Sequence, residues 1–125
     1  MNRNPCPHCG WPHNGKVSLP TNPVVAAALT EVCRVFNIDE VDAVGRKQTQ
    51  QIVEARQLVF ALVRMRVRMT LDEVGRQLGG RDHTTVLHGV RQTKVRIETD
   101  PQFRSIVMAN WPAMVNAMKS KAGAA

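Results

Sequence analysis

The sequence contains no tyrosine and few other aromatic residues, with two tryptophans and three phenylalanines among 125 residues. A hydrophobic core must therefore be built from aliphatic side chains and the six methionines, a composition that favours helices. No run is apolar enough to span a membrane, and the N-terminus lacks the basic and then apolar order of a signal peptide. We therefore predict one compact, cytoplasmic domain that does not bind membranes.

Cysteine is also scarce, since three residues are too few for a disulfide framework. Cys6 and Cys9 lie in the motif CPHCG, which is half of a zinc-ribbon knuckle. Zinc prefers four ligands, and His13 with Cys33 could complete the set, with His8 as a rival ligand. A knuckle that is disordered or completed by a dimer partner, and redox chemistry, are the alternatives. Cys33 could instead be a small buried core residue.

Acidic residues are few as well, ten against seventeen Lys and Arg, which gives a net charge of +7. The excess lies between residues 45 and 97, which hold eleven basic and four acidic residues, whereas the remainder is balanced at six each. Such a localised excess is typical of a polyanionic partner, with a solvated face as the alternative. No tryptophan or phenylalanine belt accompanies the arginines, which disfavours a membrane surface.

The spacing of apolar residues predicts an all-α fold of about five to six helices. Residues 1–23 form an irregular Cys/His arm without apolar period, residues 24–118 a helical domain, and residues 119–125 a frayed tail. The predicted helices are 24–36, 40–44, 51–68, 71–78, 82–98 and one from 101 that is interrupted at 110–112. Their predicted start and stop residues are Asn37, Asp39, Gly45, Thr70 with Glu73, Gly79, Asp82, and Asp100 with Pro101.

Apolar side chains at helical spacing give the predicted core. The buried residues expected are Val24, Ala27, Ala28, Val32, Val35, Ile52, Ala55, Leu58, Val59, Leu62, Met65 or Met69, Val74, Leu78, Val86, Leu87, Val90, Ile97, Phe103, Ile106, Val107, Met114, Val115 and Met118. The helix 51–68 carries a second stripe of Gln57, Arg64 and Arg68, so one of its faces packs and another is cationic.

The segment GGRDHTTVLHG, residues 79–89, separates a short helix from a longer one, which is the helix-turn-helix arrangement. The second helix of that motif enters the DNA major groove with its first turns against base edges. Here those turns are polar, and imidazole, hydroxyl and carboxylate groups can all read bases. Capping is the alternative role for Asp82, backbone satisfaction is the alternative for Thr85, and His83 with His88 are five residues apart and poorly placed as a metal pair.

The stretch ARQLVFALVRMRVRMTLDEVGRQLGGRDHTTVLHGVRQTK resembles the C-terminal DNA-binding domain of the bacterial replication initiator DnaA, whose signature centres on a GGRDHTTVLH-type segment. The likeness covers roughly residues 24–107. It implies an all-helical domain that binds asymmetric DnaA boxes of the TTATCCACA kind by major-groove readout with an additional minor-groove contact. It also implies the bacterial cytoplasm or nucleoid, or the infected host's cytoplasm if a phage encodes the chain.

The resemblance also implies a set of DNA contacts. Bases would be contacted by Asp82, His83 and Thr84, with support from Thr85 and His88. The expected phosphate contacts are Arg56, Gln57, Arg64, Arg68, Leu71 and Arg81. Asp72 stands where the family often has proline, and Gln48 where it has the arginine of the minor groove. We expect Arg46 or Lys47 to substitute, because a narrow A·T-rich minor groove attracts cations.

The rest of an initiator is not predicted from this sequence. GWPHNGKV, residues 10–17, imitates a phosphate-binding loop, but Val17 replaces the hydroxyl, Pro12 removes an N–H, and no strand precedes it. We predict that the chain has no ATP site and is not an enzyme. Its expected partner is double-stranded DNA, to which it binds as a monomer. The expected role is a regulator or competitor in replication initiation, or a small replication or transcription factor of a phage or other mobile element. The alternatives are an adaptor that binds replication or transcription proteins through its arm, and a thiol or metal-dependent hydrolase.

Overall fold

The computed structural model describes residues 19–123 of the protein. Over this range the chain is all-helical, as predicted, and the helices are α1 (Pro23–Phe36), α2 (Glu40–Val44), α3 (Gln50–Arg66), α4 (Leu71–Gln77), α5 (His83–Thr99) and α6 (Pro101–Gly123). None of the helices between residues 19 and 123 combines the length and apolar character that a membrane span requires.

Capping side chains explain where α1 and α2 begin and end. The side chain of Asn22 accepts hydrogen bonds from the backbone N–H of Val24 and of the next residue, at 2.9 and 3.2 Å. Asn37 closes α1 in the left-handed conformation with φ of 56°, as predicted for a C-cap. Asp39 occupies the N-cap position of α2, but its side chain makes no capping hydrogen bond, so only its position was predicted correctly.

Two further caps confirm the sequence signals before α4 and α6. The Thr70 hydroxyl accepts from the backbone N–H of Glu73 at 3.1 Å and lies 3.2 Å from its carboxylate. The Asp100 carboxylate accepts from the backbone N–H groups of Gln102 and Phe103, both at 3.1 Å. These bonds satisfy donors that the first turn of a helix cannot pair internally.

The third helix is the centre of the domain, because α1, α2, α4 and α5 all pack around it. The sequence predicted one buried stripe, whereas most of its length is buried. Its buried residues are Ile52, Ala55, Arg56, Leu58, Val59, Phe60, Ala61, Leu62 and Val63. Of Met65 and Met69, which were alternatives for the end of this stripe, Met65 is 65% exposed and Met69 lies half-buried against the core.

The buried face of α1 differs slightly from the predicted one. Ala28 and Val32 are buried as expected, but Val25 and Leu29 complete the face, while Val24 lies at its margin. The helix packs against both α3 and α6, so its apolar stripe is wider than a single contact would need.

The last helix corrects one prediction. It continues through Pro112, where an interruption was expected, and it runs to Gly123. Proline inside a helix costs about 3 kcal/mol. Met114 and Met118 are both buried beyond it, and each contributes about 1.5–3 kcal/mol. Pro112 itself faces solvent, so its ring displaces no core residue. The packing of α6 on α1 outweighs the hydrogen bond that the proline removes.

The helical domain also begins earlier than the predicted boundary after residue 23. The side-chain oxygen of Gln77 accepts from the backbone N–H of Thr21 and of Asn22, both at 2.9 Å. These bonds tie the entrance of α1 to the end of α4. Thr21 and Asn22 are therefore attached to the helical domain.

Candidate nucleic-acid interface

Two helices and the turn between them form a helix-turn-helix. The seven-residue α4 ends at Gln77, and α5 begins at His83. Gly79 and Gly80 turn the chain in left-handed conformations, with φ of 90° and 72°, which glycine adopts without steric cost. The sequence predicted this conformation for Gly79 only.

Two glycines inside helices allow neighbouring segments to approach closely. A Cβ atom at Gly75 would lie 2.0 Å from the backbone oxygen of Arg81, and at Gly89 it would lie 2.6 Å from the ring of Phe60. The first glycine lets α4 close on the turn, and the second lets α5 close on α3. Neither was among the predicted site residues, although glycine within a helical segment costs about 1 kcal/mol relative to alanine and so calls for a packing reason.

The start of α5 is exposed and held by its own cap. The Asp82 carboxylate accepts from the backbone N–H of Thr84 at 3.3 Å and from the Thr84 hydroxyl. The hydroxyl first, then the backbone N–H and the adjacent imidazole, hold the pKa of Asp82 below its ordinary value. His83 Nδ1 lies 3.3 Å from the other carboxylate oxygen, and the His83 side chain is 58% exposed. The capping role of Asp82 is therefore confirmed, and its base-reading role stays a prediction.

The rest of α5 is divided into a buried and an exposed face. Val86, Gly89 and Thr93 face the core, whereas His88 is exposed and Thr85 is half-buried. Leu87 is only half-buried, so its predicted burial is wrong in part. The predicted readers His83, Thr84 and His88 are thus all exposed.

Arg91 and Lys94 continue the exposed face of α5 beyond His88. They stand three and six residues after it, a spacing that keeps side chains on one side of a helix. Neither was among the predicted contacts. Their helical spacing from Thr84 and His88 was the sequence signal that could have found them.

A cleft of about 560 Å³ lies where α3, α4 and α5 meet. The third and fifth helices run antiparallel, since Gln57 lies beside Gly89 whereas Arg64 approaches His83. The cleft is lined by Arg64, Arg68, Met69, Thr70, Leu71, Asp72 and His83. The Asp72 carboxylate is paired with the Arg76 guanidinium at 2.7 Å, so the two cleft arginines keep the site cationic.

The side chain of Gln57 is half-buried, whereas a surface contact with phosphate was expected. Its side-chain oxygen accepts from the Arg96 guanidinium at 3.1 Å, and Arg96 also lies 3.6 Å from the carboxylate of Glu54 and over the Phe103 ring. Because arginine can only donate, the contact fixes the amide with its oxygen inward. The amide nitrogen of Gln57 is thereby directed away from Arg96.

A sequence profile described as "Bacterial dnaA protein helix-turn-helix" matches residues 25–93, which is more than half of the chain. The chain belongs to this family. It is similar to the chromosomal replication initiator protein DnaA of Thermomicrobium roseum, with 41% identity over 81 residues, 65% of this chain and 17% of that protein. For the DnaA of Brucella abortus the identity is 41% over 72 residues, 58% of this chain and 14% of that protein.

The chain spans less than a fifth of the length of these DnaA relatives. What is shared is the helix-turn-helix, so membership in the DnaA family supports DNA binding related to replication initiation. The profile match covers α3, α4 and the turn, and it includes the exposed first turns of α5.

Two residues that the DnaA resemblance assigned to phosphates lie inside this domain instead. Arg56 is 6% exposed and Arg81 is 2% exposed. The guanidinium of Arg56 donates to the carbonyls of Ala43 and Lys47 at 2.6 and 2.8 Å, and that of Arg81 donates to the carbonyl of Val44 at 2.7 Å. In this structure their donors are directed at backbone carbonyls within the protein, and a phosphate contact of either residue stays a prediction.

The residues expected at the minor groove lie between α2 and α3. Arg46, Lys47 and Gln48 are all exposed. The Lys47 ammonium lies 3.3 Å from the Asp42 carboxylate, whereas no ion pair holds the Arg46 side chain among residues 19–123. Of the two expected cations, Arg46 is therefore the better placed to bind an outside anion.

Of the four residues expected to bind zinc, the structure describes only Cys33. Cys33 is 3% exposed in the core, and burial, then the nearby acids Glu40 and Asp39, raise the pKa of its thiol to about 12. A zinc ligand must be a thiolate, which this site disfavours. The other expected ligands, Cys6, Cys9, His13 and the rival His8, lie outside the described residues.

Proposed function

We propose that this domain binds double-stranded DNA sequence-specifically at DnaA-box-like sites, with α5 in the major groove. The observation that carries the proposal is the exposure of the polar first turns of α5, at the end of a helix whose opposite face is buried. Imidazole and hydroxyl groups stay outside although the helix packs tightly against α3 and α4. Side chains of this chemistry can pair with base edges in the major groove.

The surrounding cations would bind the phosphate backbone. Arg64 and Arg68 lie on one side of the His83 end of α5, and Arg91 with Lys94 continue its exposed face. Leu71 lies in the same cleft as Arg64, and Gln57 presents its amide nitrogen, so both stay in the proposed contact set as minor members. Phosphate contacts fix the register of a protein on DNA, and base contacts specify the sequence.

The biological role that we propose is participation in replication initiation, or its regulation, with transcription control as a related role. This follows from the similarity to the named initiator proteins, of which only the helix-turn-helix part is matched. A domain bound at initiator boxes would either exclude other proteins from these sites or recruit them there.

Fluorescence anisotropy with two duplexes tests the binding proposal. One duplex contains TTATCCACA and the other the same bases in scrambled order, both at several salt concentrations. We expect tighter binding to the box at every salt concentration. Equal affinity for both duplexes would end the claim of sequence specificity.

Side-chain variants separate base reading from phosphate binding. We expect His83→Ala to cost about 1–3 kcal/mol on the box and to relax base preference. Arg64→Ala should weaken binding to all duplexes and lower the salt slope by about one unit. Lys121→Ala is the control, because this exposed lysine lies beside α1 and outside the cleft of α3, α4 and α5. A change of preferred base in Arg64→Ala would contradict this division of roles.

A further inference from the structure

Two buried guanidinium groups converge on one short stretch of backbone. Arg56 comes from the middle of α3, and Arg81 directly precedes the N-cap of α5. Both donate to the carbonyl of Gly45, Arg56 at 3.2 Å. This carbonyl is the first after α2, so the two arginines meet where the segment 45–49 leaves that helix.

The hydrogen bonds cover the C-terminal end of α2. Together the arginines bind the carbonyls of Asp42, Ala43, Val44, Gly45 and Lys47. A five-residue helix cannot pair its last carbonyls internally, and its C-terminus carries partial negative charge. Guanidinium groups suit this place because they donate in several directions at once and keep their charge when buried.

Arg81 also joins this segment to the helix-turn-helix. Its guanidinium donates to the carbonyl of Leu78 at 2.8 Å, and its backbone N–H donates to the carbonyl of Gly75 at 2.8 Å. The same residue therefore contacts α4, the turn and the end of α2. Asp82, the next residue, begins the exposed turn that we propose to read bases.

The exposed residues Arg46, Lys47 and Gln48 follow the anchored carbonyl of Gly45 directly. The backbone is held on both sides of Arg46, at Gly45 by both arginines and at Lys47 by Arg56. The side chains point to solvent while the main chain is fixed relative to α5. A DNA contact made by this segment would thus lie at a fixed distance from the turn that we propose to read bases.

We infer that Arg56 and Arg81 are positioning residues, which fix the segment 45–49 so that Arg46 enters an A·T-rich minor groove beside the major groove read by α5. This inference rests on the proposed function. A flexible segment would pay an entropic cost on binding, which a pre-formed one avoids. Preference for A·T pairs on the flank of the site would then depend on two arginines that do not touch DNA.

The test compares Arg81→Lys, Arg56→Lys and Arg46→Ala with the unaltered full chain. Lysine keeps the charge but cannot donate to several carbonyls in a fixed fork. Affinities are measured by anisotropy for the box duplex and for duplexes in which A·T pairs on the flank, or bases read by α5, are exchanged one at a time. We expect both lysine variants to lose about five- to tenfold of the flank preference and to keep the preferences read by α5.

A double variant decides whether the effect passes through Arg46. If Arg81 acts by placing Arg46, then Arg46→Ala combined with Arg81→Lys loses no more flank preference than Arg46→Ala alone. A purely structural role would lower the affinity for all duplexes by one factor and leave every preference unchanged. That result, or additive losses in the double variant, would overturn the inference.

Hydrogen exchange of the free protein gives a readout that does not use DNA. We expect amides in the segment 45–49 to exchange faster in Arg81→Lys, with α1 and α6 unchanged. Unchanged exchange there would overturn the positioning role even if affinities fell. If the unaltered protein shows no box preference, the proposed function fails, whereas faster exchange would still support anchoring of the segment. Should Arg81→Lys not fold, Arg56→Lys tests the same prediction from α3.

Discussion

At residue 75 the domain has no room for a side chain. A Cβ atom there would lie 2.0 Å from a backbone oxygen, which cannot move without shifting the turn before α5. At Gly89 the obstacle is the ring of Phe60, which has some freedom to move. The same residue type thus meets a rigid neighbour in one place and a mobile one in the other.

We expect Gly75→Ala to lower the free energy of unfolding by about 1–3 kcal/mol, because the added methyl forces the turn apart. Gly89→Ala should cost less. An unhindered Gly→Ala change in a helix stabilises by about 0.4–1 kcal/mol, so the sign distinguishes crowding from backbone entropy. Urea denaturation followed by circular dichroism measures both variants. A more stable Gly75→Ala would contradict the close approach.

The buried thiol of Cys33 gives a second prediction at the residue scale. At pH 8 we expect iodoacetamide to leave Cys33 unlabelled in the folded protein and to label it in urea, as read by peptide mass spectrometry. The thiol has its pKa raised from 9.0 to about 12, so it stays protonated when folded. The stabilising contribution of this raised pKa is complete below pH 9 and is lost as pH rises toward 12. Cys33→Ala, which has no thiol, should show less of this alkaline loss.

At the scale of the element, α6 shows how packing overrides a local stop signal. The sequence Asn110, Trp111, Pro112 favours an interruption, yet the helix is continuous. The Asn110 side chain donates to the carbonyl of Ile106 at 2.8 Å, and two methionines beyond the proline are buried. The contact with α1 therefore decides the length of α6.

We expect Pro112→Ala to raise the free energy of unfolding by about 1–3 kcal/mol. Alanine restores the N–H that a continuous helix uses, and the position is exposed, so no core contact is lost. Denaturant unfolding checks the gain, and box affinity serves as the control, which should not change. A less stable variant would mean that the ring itself contributes packing.

At the scale of the whole molecule, the positive charge and the helix-turn-helix occupy the same part of the chain. The basic excess falls between residues 45 and 97, which spans α3, α4 and α5. Helices α1 and α6 pack on one another, and α6 carries Arg104, Lys119 and Lys121 without an acidic residue. The basic charge is therefore concentrated on the three helices that include the helix-turn-helix, but it is not confined to them.

Two deletions locate the start of the folded unit. We expect removal of residues 1–18 to leave the melting temperature and box affinity unchanged. Removal of residues 1–22 should cost about 1 kcal/mol or more, because it also deletes the Asn22 cap and the partners of Gln77. Calorimetry on both proteins measures the difference. Equal stability of the two would show that these bonds contribute nothing, and lost partner recruitment with intact DNA preference would favour the adaptor role.

The sequence by itself determined the all-α class, nearly every helix start and the exposed polar turn at the start of α5. Caps such as Asn37, Thr70 and Asp82 act within a few residues of where they stand, so their effect is readable without the rest of the chain. The polar start of α5 was predictable for the same reason, because burying a run of polar side chains without hydrogen-bond partners costs free energy.

Only the tertiary structure decided what contacts between distant residues determine. Arg56 and Arg81 looked like surface cations, but all except one of the carbonyls they bind are 9 to 37 residues away along the chain. Pro112 looked like a stop, but α1 holds the helix together across it. Whether a charged side chain contacts solvent or buried backbone depends on which helices pack around it. The residues next to it in the sequence do not determine that packing.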